Sequence, residues 1–176
     1  MSRKESDNGA RKIALTAILS AFIIIILFLE SIVPTGRLGF YALASFILSV
    51  IVLENGVRWG WLAYAVTSLT AALIIPEKLN LLPYFVFFGI YTLVKYHIES
   101  LRKKWLEIIL KLIAFNLPLW IFWDFVKGFL PDRLTEGLIV IVAGIILQVA
   151  FFVYDKIFTL WLNYYFEKIA PKVRKY

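Results

Sequence analysis

Residues 10–37 read ARKIALTAILSAFIIIILFLESIVPTGR. Arg11 and Lys12 precede an apolar run over 13–33 whose only charge is Glu30, and the run stops at Pro34-Thr35-Gly36. A helix needs about 20 apolar residues to cross a bilayer core, and this run supplies them. It is too long for a typical signal-peptide core and lacks a small-residue cleavage site, so it reads as a retained span.

Outward from this stretch the pattern repeats. Apolar segments over 38–53, 59–75, 79–96, 106–129 and from 134 onward bring the expectation to about six spans. Short polar turns separate them: Glu54-Asn55-Gly56, Pro76-Glu77-Lys78, the polar stretch 97–107 and Pro131-Asp132-Arg133. Glu54 and Arg58 can pair if helix persists through the first of these. The chain has 176 residues, of which 61% are hydrophobic and 18% charged, so such spans leave no room for a soluble domain. The expected fold is all-α, a polytopic membrane bundle. It comprises a polar tail over 1–12, a six-helix transmembrane domain over 13–167 and a basic tail over 168–176. No internal repeat supports an inverted-repeat architecture.

The 19 Lys and Arg residues orient the spans. Arg3, Lys4, Arg11, Lys12, Arg58, Lys95, Arg102, Lys103, Lys104, Lys111, Lys156, Lys168, Lys172, Arg174 and Lys175 fall on one side. Only Arg37, Lys78, Lys127 and Arg133 fall on the other. The positive-inside rule then puts both termini in the cytoplasm and makes the number of spans even. The formal net charge of +7 reflects topology and attraction to anionic lipid. It does not mark a nucleic-acid partner, because the basic residues border apolar spans and form no soluble face.

Enzyme chemistry finds no support. Cysteine is absent, which removes disulfides, thiol nucleophiles and thiolate metal sites. One histidine, His97, argues against a metal centre and against a serine triad. No phosphate-binding loop, zinc-protease motif or nucleophile elbow occurs, and no cofactor is expected.

The polar residues in the spans are the candidate site. Asn116, Trp120, Trp123 and Lys127 follow i, i+4, i+7, i+11 spacing and share a helix face, with Asp124 beside it. Pro118 removes the donor for the Ala114 carbonyl and predicts a kink. One reading is a ligand pocket open to the outside. The other is an aromatic belt in which Lys127 snorkels and Asp124 pairs with Lys127 or Arg37. Glu30 and Arg37 flank the first outer turn, as one wall of an outward site or as an interfacial pair. Glu77, Lys78 and Asn80 lie at the same level. Gln148, deep in the last span, suits an interhelical hydrogen bond. Ala10, Ala14, Ala17 and Ala21 form small-x-x-x-small pairs that permit close approach of another helix.

The basic start running into the alanine-rich segment 10–21 resembles the beginning of the substrate-binding S components of energy-coupling factor transporters. Chain length, six spans and internal termini are also similar to that family. The resemblance implies an S-component-like bundle in the plasma membrane. It further implies docking of Ala10 and Ala14, or Ala17 and Ala21, on a coupling transmembrane protein that works with ATPase subunits. The solute, vitamin-like in the family, would lie near the outer surface, where Glu30, Arg37, Asn80, Tyr84, Trp120 and Asp124 fall. The same architecture resembles rod-shape determining membrane proteins, which hold other proteins. Two functions follow as expectations: capture of a small solute for uptake, or assembly of other membrane proteins.

Overall fold

The computed structural model describes residues 2–101, 103–129 and 137–173, and no strand occurs among them. The first helix, α1, covers Ser2–Ile32. It therefore runs back through most of the expected polar tail, where Arg, Lys and Glu favour helix and no proline intervenes. Helix α2 covers Arg37–Asn55 and α3 covers Val57–Ile74. Gly56 alone joins them, at φ 92° and ψ 165°, a conformation open mainly to glycine. Its N–H still bonds the Val52 carbonyl at 3.0 Å, so the chain reverses in one residue. The helix thus does not persist through the Glu54–Arg58 segment.

A 3₁₀ turn over Lys78–Leu81 and a π-helical turn over Tyr84–Phe88 lead into α4, Gly89–Ser100. Pro83 stands at the start of the π turn, where its missing donor does least harm. Helix α5 covers Lys104–Val126 with Pro118 inside, and a 3₁₀ turn follows at Lys127–Phe129. Helix α6 covers Leu138–Tyr164, continued by a π turn over Tyr165–Ile169 and by α7, Ala170–Val173. The expected outer turn at Pro131-Asp132-Arg133 lies outside the described residues.

Five helical segments are long and apolar enough to cross a membrane: Gly9–Ile32, Arg37–Asn55, Lys78–Ser100, Lys104–Asp124 and Leu138–Lys172. The protein is an all-helical, multi-pass membrane protein by this criterion. The remaining expected span, α3, is absent from this set; Trp59, Trp61, Tyr64, Thr67, Ser68 and Thr70 lower its apolar content.

The chain divides into two compact units, 1–114 and 115–176. In the first, α1 packs on α2 and α3, and α2 packs on α3 and α4. Ile23, Leu27, Ala44, Leu48, Ile51, Ala63, Ala71 and Leu93 are buried there. Hydroxyls are buried too, and many bond carbonyls: Ser45 to Ala42 at 2.7 Å, Ser49 to Phe46 at 2.6 Å, Thr92 to Phe88 at 3.1 Å. Asn55 ties α2 to α1 through the Lys12 carbonyl at 3.0 Å and the Thr16 hydroxyl at 2.8 Å. Lipid is as apolar as leucine, so helices in a bilayer are held by close packing and such bonds. Gly60 and Gly89 set the approach distances. A Cβ on Gly60 would fall 2.5 Å from Val52 Cγ2, and one on Gly89 would fall 2.6 Å from Tyr64 Cε2.

In the second unit the Phe115 and Phe151 rings stack with centroids 4.4 Å apart. Most large apolar side chains of α6, among them Leu138, Ile141, Ile145, Ile146 and Val149, are exposed. Such a surface is stable against hydrocarbon, not water.

Candidate functional site

The buried face of α1 is a stripe of Thr16, Ser20, Ile23, Leu27 and Glu30, spaced by three or four residues. That spacing turns Glu30 inward. Its side chain is 0% exposed, and neither carboxylate oxygen accepts a hydrogen bond of normal geometry from the described residues. Arg37, at the start of α2, stands with Nε 3.5 Å from Glu30 Oε1 and is itself 42% exposed. The contact supplies opposite charge without a hydrogen bond.

Arg37 Nη1 donates to Asn80 Oδ1 at 3.0 Å, and Asn80 Nδ2 donates to Glu77 Oε2 at 2.8 Å. The Tyr41 hydroxyl, one turn along α2 from Arg37, donates to the Asn80 carbonyl and also lies within interaction range of Glu30. Lys78 turns away, donating to the Ala72 carbonyl and, at 2.6 Å, to that of Ile75. It thereby caps the C-terminal carbonyls of α3. The α1–α2 turn and the α3–α4 connection thus meet, bringing Glu30, Arg37 and Asn80 together.

Tyr84 is fully buried nearby in sequence, sharing a hydrogen bond of 3.1 Å with the Thr67 hydroxyl. Its ring centroid lies 6.0 Å from that of Tyr64, whose hydroxyl donates to the Phe85 carbonyl at 2.7 Å. Tyr84 is engaged with α3 and braces the π turn.

The candidate residues of α5, from Asn116 onward, belong to the second unit. Gln148 Nε2 donates to Asn116 Oδ1 at 2.5 Å, joining α6 to α5. Trp120 is 70% exposed and Trp123 partly so. Lys127 Nζ donates to Asp124 Oδ1 at 2.5 Å in an exposed i, i+3 pair. Pairing of Asp124 with Lys127 and an interhelical bond from Gln148 were both anticipated from the sequence. Ala10, Ala14, Ala17 and Ala21 all lie on an exposed face of α1, away from the Thr16–Glu30 stripe.

Two features escaped the sequence reading. Tyr41 is one; its position four residues after Arg37 on the same helix face was the available signal. The other is at the opposite end of the first unit. Lys95, 1% exposed, and Lys111 each lie 2.8 Å from Glu99 Oε1. The i, i+4 spacing of Lys95 and Glu99 signals the first contact, and nothing local signals the second. His97 Nδ1 is 2.8 Å from the Leu93 carbonyl within its own helix. Among the described residues no cluster of His, Asp and Glu could hold a metal ion. No family model, no curated protein and no solved structure matches the chain.

Proposed function

We propose that this protein is a substrate-capture subunit of the energy-coupling factor type. In this reading it has six spans, with α3 among them, and both termini in the cytoplasm. It resides in the plasma membrane, takes a small solute at the outer face and performs no catalysis of its own. The observation that carries the reading is Glu30. A carboxylate fully withdrawn from solvent and accepting no hydrogen bond is expensive in a membrane, and side chains of this kind mark substrate or ion sites. Arg37, Tyr41 and Asn80 frame it at the end of α1 remote from its basic start. The exposed alanine face of α1 is the surface offered to a coupling membrane protein, whose ATPase partners drive uptake.

Native mass spectrometry of the protein purified gently from its own host tests this. Recovery with a coupling protein, ATPases and a bound small molecule is expected. Recovery with neither ATPases nor solute would overturn capture. Ala17→Leu should abolish recovery of the coupling protein while leaving the helical content intact.

The pairing of α5's polar groups favours a second reading, a membrane scaffold that docks other membrane proteins. Gln148 Nε2 donates to Asn116 and Lys127 to Asp124 within the molecule, as a structural role requires, while the buried Gln148 Oε1 has no partner among the described residues. Co-purification with other envelope proteins and no small molecule would select it.

A further inference from the structure

Glu30 also narrows what the solute must be, an inference that rests on the capture reading. An ionised carboxylate only accepts hydrogen bonds and offers about four lone-pair directions. At Glu30 no donor among the described residues makes a hydrogen bond of normal geometry, although the side chain is fully buried; the Tyr41 hydroxyl stands beside it but donates to the Asn80 carbonyl. Arg37 reaches the carboxylate with Nε at 3.5 Å but commits Nη1 to Asn80, so its guanidinium compensates the charge and leaves the acceptors open. Arg37 is also 42% exposed, so the cation facing the buried Glu30 is itself reached by solvent. Lys78, a second cation of this end of the first unit among the described residues, is occupied by the carbonyls of Ala72 and Ile75. Glu77, hydrogen-bonded to Asn80, adds a second carboxylate to the rim.

We infer that the solute is a small organic cation bearing two or more N–H donors, an amidinium, guanidinium or primary ammonium, which displaces Arg37 and hydrogen-bonds the Glu30 carboxylate. Arg37 then swings outward on its Asn80 contact and exchanges one planar cation at Glu30 for another. Charge-assisted bonds of this kind are short and directional, and they reject ligands that carry charge without donors. An anionic solute would meet two carboxylates and is disfavoured.

The test uses the full chain in lipid nanodiscs with methylguanidinium as probe and tetramethylammonium as the donor-free cation. Methylguanidinium should raise the thermal midpoint in a saturable way, and tetramethylammonium should not. Glu30→Gln should weaken the probe's apparent affinity roughly tenfold or more, since charge-assisted bonds are lost. Arg37→Ala, which removes the competing cation, should tighten it. Unchanged probe affinity in Glu30→Gln, with circular dichroism showing intact helix, overturns the inference. So does equal stabilisation by the two cations, or none by either in both the native protein and Arg37→Ala. A solute recovered from the native complex that lacks an N–H cation also overturns it and leaves capture standing.

Discussion

Glu30 and Asp124 are both acidic residues in apolar helices, and they meet different ends. Asp124 stays exposed and reaches Lys127 one turn away, so its cost is small and its contribution to stability is slight. Glu30 is withdrawn completely, with a long contact to a half-exposed guanidinium and the Tyr41 hydroxyl beside it. Two expectations follow for unfolding in detergent. Glu30→Gln keeps the shape and removes a buried charge, so stability should hold or rise. Arg37→Ala leaves that charge uncompensated and should lower stability by roughly 1–3 kcal/mol, reduced from the fully buried case because Arg37 is partly solvated. A drop in Glu30→Gln as large as in Arg37→Ala would show that the pair is a net stabiliser. The sequence made Glu30 and Arg37 legible as partners because one short turn separates them. It did not reveal the depth of Glu30, which depends on α2 closing over the stripe from Thr16 to Leu27. Asn80 was expected at the level of Glu30 and Arg37 from its place between two spans; its bond to Arg37 depends on the fold.

Elements in this protein are held by contacts with almost no slack. Gly89 opens α4 against the Tyr64 ring, and that ring is pinned by its hydroxyl on the Phe85 carbonyl. The added methyl of Gly89→Ala would also stand 3.1 Å from the Tyr84 carbonyl. Neither neighbour can yield freely, so Gly89→Ala should cost about 1–3 kcal/mol of stability. An unchanged thermal midpoint would mean that α4 can slide. In the second unit, a double-mutant cycle on Asn116→Ala and Gln148→Ala should give a coupling near 0.6 kcal/mol, and below about 2. A vanishing coupling would show that their hydrogen bond contributes nothing to holding α6 on α5. Helix limits were readable where glycine or proline punctuates the chain, as at Gly56 and Pro34. The extension of α1 to Ser2 was not, since a hydropathy reading ends a span where charge begins and helix propensity does not stop there. The π turn after Pro83 was also hidden, because it answers to the packing of Tyr84 on Thr67.

For the molecule as a whole, the number of crossings turns on α3. Helix α3 has 18 residues, about 27 Å at helical rise, close to the thickness of a hydrocarbon core. The chain contains no cysteine, so single cysteines can be introduced against a clean background. In intact cells, Lys12→Cys, Arg58→Cys and Lys172→Cys should resist a membrane-impermeant maleimide, and Glu77→Cys should react. Equal reactivity of Arg58→Cys and Glu77→Cys would mean that α3 does not cross, and the termini would then lie on opposite sides. Composition and charge distribution made the membrane class legible at once, because 61% apolar content leaves few alternatives. The packing of α1 across both α2 and α3 was not legible, since a bilayer rewards no particular helix order.

Helix α1 is a single rod over its full length. Between Ser2 and Ile32, α1 has no proline and no π turn, the usual places where a helix bends. Glu30 and Arg11 stand 19 positions apart, about 28 Å along the axis. Such a rod behaves as a lever. In the proposed capture reading, a tilt imposed where a solute replaces Arg37 would carry to the basic end, and the alanine face would swing with it. Under that reading, occupancy at one end of α1 would be written as angle at the other.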